Sequence, residues 1–132
     1  MSEKKYLLKK FVLGTANFSM KYGIKNKQNF LKKNSINEIL KELTRSKILF
    51  IDTAKAYGET EKNLGSLNLK KFKIITKINK IPRKVNNLEK WLKNQINTSC
   101  RKLNVKKIYG LLIHDTKDLK NKKDAKKIYK TF

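Results

Sequence analysis

Four short, largely apolar runs punctuate the chain, and each stops abruptly at residues able to do chemistry. Phe11–Leu13 runs into Gly14-Thr15, Ile48–Ile51 into Asp52, Phe72–Thr76 into Lys77, and Ile108–Ile113 into His114-Asp115. Apolar runs of this length, without polar alternation, read as strands covered on both faces. Helical patterns fill the intervals. Ser35 with Glu38 has capping-box spacing, and Ile36, Ile39, Leu40 and Leu43 follow it on one helical face. A short helix is expected around Glu61–Leu67. Asn86 or Asn87 can cap a long helix that carries Leu88, Trp91, Leu92, Ile96 and Leu103. Ala125, Ile128, Tyr129 and Phe132 give a last helical stripe. Tyr22-Gly23-Ile24 and the polar residues after it belong to a long loop, and Pro82 to another, where a missing amide donor does no harm.

The order is therefore β-α-β-α-β-α-β-α, and helical crossovers between unbroken apolar strands demand a parallel sheet. No Gly-x-Gly-x-x-Gly follows the first strand, which argues against a Rossmann dinucleotide fold. A (β/α)8 barrel needs about 250 residues, so four units in 132 residues amount to half of one. On pattern alone a half-barrel and a small doubly wound sheet stand even.

Charge narrows the function classes. The formal net charge is +24, yet only Arg45, Arg83 and Arg101 among the 34 cations are arginine. Arginine is the residue suited to bidentate phosphate and base contacts. Abundant Lys beside abundant Asn and Ile is also what an AT-rich coding sequence produces, so the charge is read mainly as composition. It implies salt-sensitive adhesion to polyanions and no specific nucleic-acid partner. Cys100 is the single cysteine, so no internal disulfide forms and a reducing compartment suits the chain. Residues 1–8 hold no signal-like apolar run, and no stretch approaches the roughly 20 apolar residues of a membrane span. The expectation is a cytoplasmic protein with no membrane partner.

Singly, the residues at the run ends have bland explanations. Asp52 could cap a turn, Tyr57 could pack over the sheet edge, Lys77 is one lysine among many, and His114 could be a structural hydrogen-bonder. Together they say more. Asp52, Lys77 and His114 each follow an apolar strand, which puts them at one end of a parallel sheet. Tyr57 lies on the loop above Asp52. Parallel α/β folds place their chemistry at that end. A free phenol is too weak an acid near neutrality, and a neighbouring ammonium stabilises its phenolate. A carboxylate keeps such an ammonium charged, and an imidazole can orient a carbonyl by hydrogen bonding.

At these residues the chain resembles the aldo-keto reductase family. Leu-Gly-Thr-Ala-Asn-Phe at 13–18 is similar to the family's opening Leu-Gly-Thr motif. The stretch 50–65, Phe-Ile-Asp-Thr-Ala-Lys-Ala-Tyr-Gly-Glu-Thr-Glu-Lys-Asn-Leu-Gly, is similar to its Asp-Thr-Ala…Tyr-Gly…Glu…Leu-Gly signature. Ile-Ile-Thr-Lys at 74–77 resembles the third-strand lysine segment, and Leu-Leu-Ile-His at 111–114 the fourth-strand histidine segment. The resemblance implies an α/β fold, the N-terminal half of a (β/α)8 TIM barrel of about four parallel βα units. It implies Tyr57 as general acid, Lys77 and Asp52 as its tuning pair, and His114 as carbonyl orienter. It further implies hydride delivery from NADPH, with NADH as the alternative, to an aldehyde or ketone, and no metal. Gly14, Thr15 and Asp52 match positions beside the nicotinamide. Tyr22-Gly23-Ile24 and residues 112–119 are similar to a bacterial branch found with surface-polysaccharide sugar pathways, which points to a sugar-derived carbonyl substrate.

The family's later units, which hold the nicotinamide amide and the 2′-phosphate, have no counterpart here. Residues 1–132 are thus expected to be one partial barrel domain, cut after the fourth βα unit and most simply a fragment. Such a half would expose two sheet edges and favour self-association. Three readings follow: a reductase, an inert half-barrel or a half that needs a partner chain, and a basic nucleic-acid-binding module.

Overall fold

The computed structural model describes residues 10–20, 31–82, 84–120 and 122–131. Its elements alternate: β1 (Val12–Gly14), α1 (Lys33–Arg45), β2 (Phe50–Asp52), α2 (Thr60–Gly65), β3 (Lys73–Ile78), α3 (Leu88–Leu103), β4 (Gly110–Ile113) and α4 (Lys122–Thr131). Single 3-10 turns follow β1 at Ala16–Phe18 and β4 at Thr116–Leu119. The four strands form one parallel sheet in chain order, β1-β2-β3-β4. Each strand is thus joined to its spatial neighbour by a helical crossover, the order of a half-barrel and not of a doubly wound sheet. The Tyr22–Ile24 loop expected from the sequence lies outside the described residues, as does Phe132.

Side chains alternate across the sheet. Leu13, Ile51, Ile74 and Ile78 point to the helices, where two apolar clusters form. The first joins β1–β3 to α1 and α2 through Ile36, Leu40, Ile51, Leu64 and Ile74, with Leu103 from α3. The second joins β3 and β4 to α3 and α4 through Ile78, Leu92 and Ile128. Gly65 makes the α2–α3 contact possible. A Cβ built there would lie 2.0 Å from the Lys102 carbonyl oxygen. The opposite sheet face carries no helices among the described residues. Val12 and Leu112 there are 45% and 46% exposed.

Several boundaries differ from the sequence reading. The first helix begins at Lys33, two residues before Ser35, and its N-cap Lys32 makes no side-chain cap. Ser35 therefore sits inside the first turn, and Glu38 pairs with Lys41 at 2.8 Å instead of closing a capping box. Packing of Ile36 and Leu40 sets this helix, not its cap. Asn87 does cap α3, accepting from the Lys90 amide at 2.9 Å. Strand β2 starts at Phe50, after Ile48 has turned to bond the Leu43 carbonyl. Strand β3 runs on through Ile78, so Lys77 lies within it and does not follow it. Tyr129, expected on the apolar stripe of α4, is 84% exposed, whereas Ile128 is buried.

Candidate active site

The carboxyl ends of the strands gather the polar residues. Asp52 is the last residue of β2, and its carbonyl accepts from both the amide (3.1 Å) and the hydroxyl (3.0 Å) of Thr15. That double contact fastens the turn after β1 to the end of β2. Lys77 lies one strand over, on the face that alternation assigns to Asp52. Its Nζ donates to both Asp52 carboxylate oxygens, at 2.7 and 2.6 Å, and to the Thr53 carbonyl at 3.2 Å. The two side chains are only 18% and 29% exposed. Half-burial makes the pairing matter, because each charge would otherwise stand poorly solvated.

The same Nζ reaches the Tyr57 hydroxyl at 3.4 Å and sits 5.2 Å from the centre of its ring. Tyr57 owes its place to a tight turn: its amide bonds the Ala54 carbonyl, and its carbonyl accepts from Thr60. Gly58, at φ +58°, completes that turn; a Cβ built there would lie 3.2 Å from the Ser19 carbonyl oxygen, so an L side chain would be strained and crowded. On the far side, the His114 ring meets Tyr57 edge to face, with centroids 6.1 Å apart and planes at 78°. The loops after β3 and β4 are tied together above it. Ile81 donates its amide to Asp118 at 2.9 Å, and Lys80 pairs with Asp115 at 3.5 Å. Asp115 also accepts from the Lys117 amide, which together with Lys80 holds its carboxyl below the usual range against the opposing effect of desolvation.

All four residues singled out in the sequence thus share one mouth. Asp52, Lys77 and Tyr57 form a continuous chain of contacts, with His114 beside the phenol. Gly14 lies open at the same end, with nothing within 4 Å of a built Cβ. That open backbone beside Asp52 leaves room for a group to approach closely. Thr15 follows Gly14 at the same end. It is fully buried, and its hydroxyl is spent on Asp52, so its side chain supports the mouth from behind. The sequence reading also left Thr76, Lys55 and the burial of Glu61 without a role. Their signal is the alternation of β3, which turns Thr76 toward the helices when Lys77 faces the mouth.

The fold and this mouth define a class, the α/β proteins that work at the carboxyl ends of parallel strands. The aldo/keto reductase family profile matches residues 10–128, and the chain belongs to that family. PA4992 of Pseudomonas aeruginosa, an aldo-keto reductase by assignment, superposes with a TM-score of 0.71 at 24% identity. The match covers 91% of this chain and 48% of that one. A second Pseudomonas aeruginosa structure of the same assignment gives a TM-score of 0.69 at 22% identity, covering 91% and 46%. The thermostable aldo-keto reductase Tm1743, solved with the inhibitor epalrestat, gives 0.53 at 19%, covering 78% and 37%. The chain thus spans half or less of the length of these solved structures. None of the curated proteins matches it.

Proposed function

We propose that this chain carries the proton-transfer site of a reductase acting on small aldehydes or ketones, with Tyr57 as the acid. The observation that carries the reading is Lys77 Nζ, bound at once to the Asp52 carboxylate and within 3.4 Å of the Tyr57 hydroxyl. Reduction of a carbonyl needs a proton on oxygen as a hydride reaches carbon. Tyr57 donates that proton, and Lys77 stabilises the negative charge left on the phenol oxygen. Asp52 aims Lys77 by accepting from its Nζ with both carboxylate oxygens. His114 sits where its imidazole can donate to the same carbonyl oxygen and fix its direction. When bound, NADP(H), or NAD(H) in its place, supplies the hydride; Gly14 and Asp52 line the place for its nicotinamide, and Thr15 braces them. The family and the sugar-pathway resemblance of residues 112–119 favour a sugar-derived carbonyl in the cytoplasm.

The test is to mix the purified chain with reduced nicotinamide dinucleotide and a panel of small carbonyls, sugar aldehydes among them, and follow the loss of reduced-nicotinamide absorbance. Carbonyl-dependent oxidation supports the reading. The open sheet face, with Val12 and Leu112 exposed, favours a second one: turnover requires that face to be covered by another chain, or the half-barrel is inert. Dinucleotide that fails to raise the melting temperature of the isolated chain favours the second reading, and clear protection counts against it.

A further inference from the structure

Behind the Tyr57 turn, between the sheet and the helices, lies a buried polar layer that the proposed chemistry does not use. Glu61, in the first turn of α2, is 1% exposed. Its Oε1 accepts from the Thr76 hydroxyl at 2.8 Å, and its Oε2 has no protein partner. The side-chain oxygens of Thr60, Gln95 and Ser99 are likewise buried without one. Lys55 reaches toward the same helix, donating from Nζ to the Gln95 carbonyl at 3.0 Å, while its amide bonds the Lys77 carbonyl at 3.2 Å. Burial pushes the Lys55 ammonium below the ordinary lysine range, and the Glu61 carboxylate acts to pull it back up.

A buried carboxylate with one unpaired oxygen is costly, and a core carboxylate with a purely packing role would be replaced without loss by an apolar side chain. Placement argues for more. Lys55 precedes Tyr57 by two residues and Glu61 follows it by four, so the pair brackets the turn that presents the phenol. Each end is fastened to a different element: Lys55 to α3 through Gln95, and Glu61 to β3 through Thr76, the residue next to Lys77.

We infer that Glu61 and Lys55 are positioning residues that hold the Tyr57 ring against Lys77 and His114 from behind. The inference rests on the proposed function only for its catalytic meaning, and its test does not need turnover. His114 is the only histidine, and its ring lies 6.1 Å from that of Tyr57, so its imidazole proton resonances report where the tyrosine ring sits. Tyr57→Ala sets the value without that ring. Glu61→Leu and Lys55→Met are expected to move the His114 resonances more than halfway to it. Glu61→Gln, which can still accept from Thr76, keeps most of the wild-type shift. Leu40→Ala, which lowers stability from α1, leaves the resonances in place. Should Glu61→Leu not fold, Lys55→Met decides alone. His114 resonances unmoved in Lys55→Met overturn the inference, as do resonances moved equally by Leu40→Ala. A wild-type chain that shows the expected shifts and reduces no carbonyl defeats the proposed function and leaves the positioning pair standing.

Discussion

Lys77 is the residue on which the site turns, because one ammonium serves a carboxylate and a phenol together. Replacing it with Met strands the half-buried Asp52 and removes the cation beside Tyr57. The expected cost is about 1–3 kcal/mol of stability and about a hundredfold or more in turnover. Urea unfolding and steady-state assay read the two separately, and unchanged turnover would remove Lys77 from the mechanism. Asp115 makes a pH prediction. Its folded carboxyl is held below the ordinary 3.8, mainly by the Lys117 amide. A depressed carboxyl stabilises the fold above its unfolded value, and the contribution is lost as pH falls through the lower folded one. The Lys117 amide resonance should therefore titrate with a midpoint below 3.8, and a midpoint at or above it would contradict the cap. At this scale the mouth was legible in the sequence because its residues end or interrupt apolar strands. Thr15 and Glu61 were not, since their roles depend on burial, and neighbours far along the chain decide burial.

Among the elements, the short helix α2 is held by contact and not by propensity. Six residues cannot sustain a helix in water, so its stability comes from Leu64 in the core and from Gly65 against α3. Gly65→Ala forces a methyl onto the Lys102 carbonyl and should cost about 3 kcal/mol or unfold the chain; a melting temperature within a few degrees of wild type would refute that close approach. Asn87→Ala removes a real cap and should cost about 1 kcal/mol. Ser35→Ala should cost little, because the expected capping box is absent. The sequence distinguished these two sites poorly, since a capping pattern states only that a cap is available. The backbone at Lys32 is already extended with Ile36 buried, so the helix enters earlier than Ser35. The parallel sheet, by contrast, followed from periodicity and crossover length, while its order came only from the resemblance of the motifs, because a doubly wound sheet has the same pattern.

Over the whole molecule, the acids at the mouth stand among cations, Lys77 and Lys80 pairing with Asp52 and Asp115, while the opposite end is rich in exposed lysine. Asp52, Glu59, Glu61, Asp115 and Asp118 lie toward the mouth, whereas Lys47, Lys70, Lys71, Lys106 and Lys107 are exposed where strands begin. Helices end there, so Arg45, Arg101 and Lys102 also complement their dipoles. This surplus predicts adhesion to DNA or heparin that collapses steeply with added salt and shows no sequence preference. Sequence-selective binding near physiological salt would instead revive the nucleic-acid reading. The open sheet face should drive self-association that strengthens with salt, as repulsion between +24 chains is screened. Sedimentation would show it, and a monomer at every salt concentration would contradict it.

The central claim is that Tyr57 delivers the proton, and Tyr57→Phe tests it by removing one oxygen while keeping the ring. With the protein folded and turning over, the account predicts at least a hundredfold loss of carbonyl reduction and dinucleotide affinity within about threefold of wild type. Reduction at the wild-type rate in Tyr57→Phe would contradict it outright.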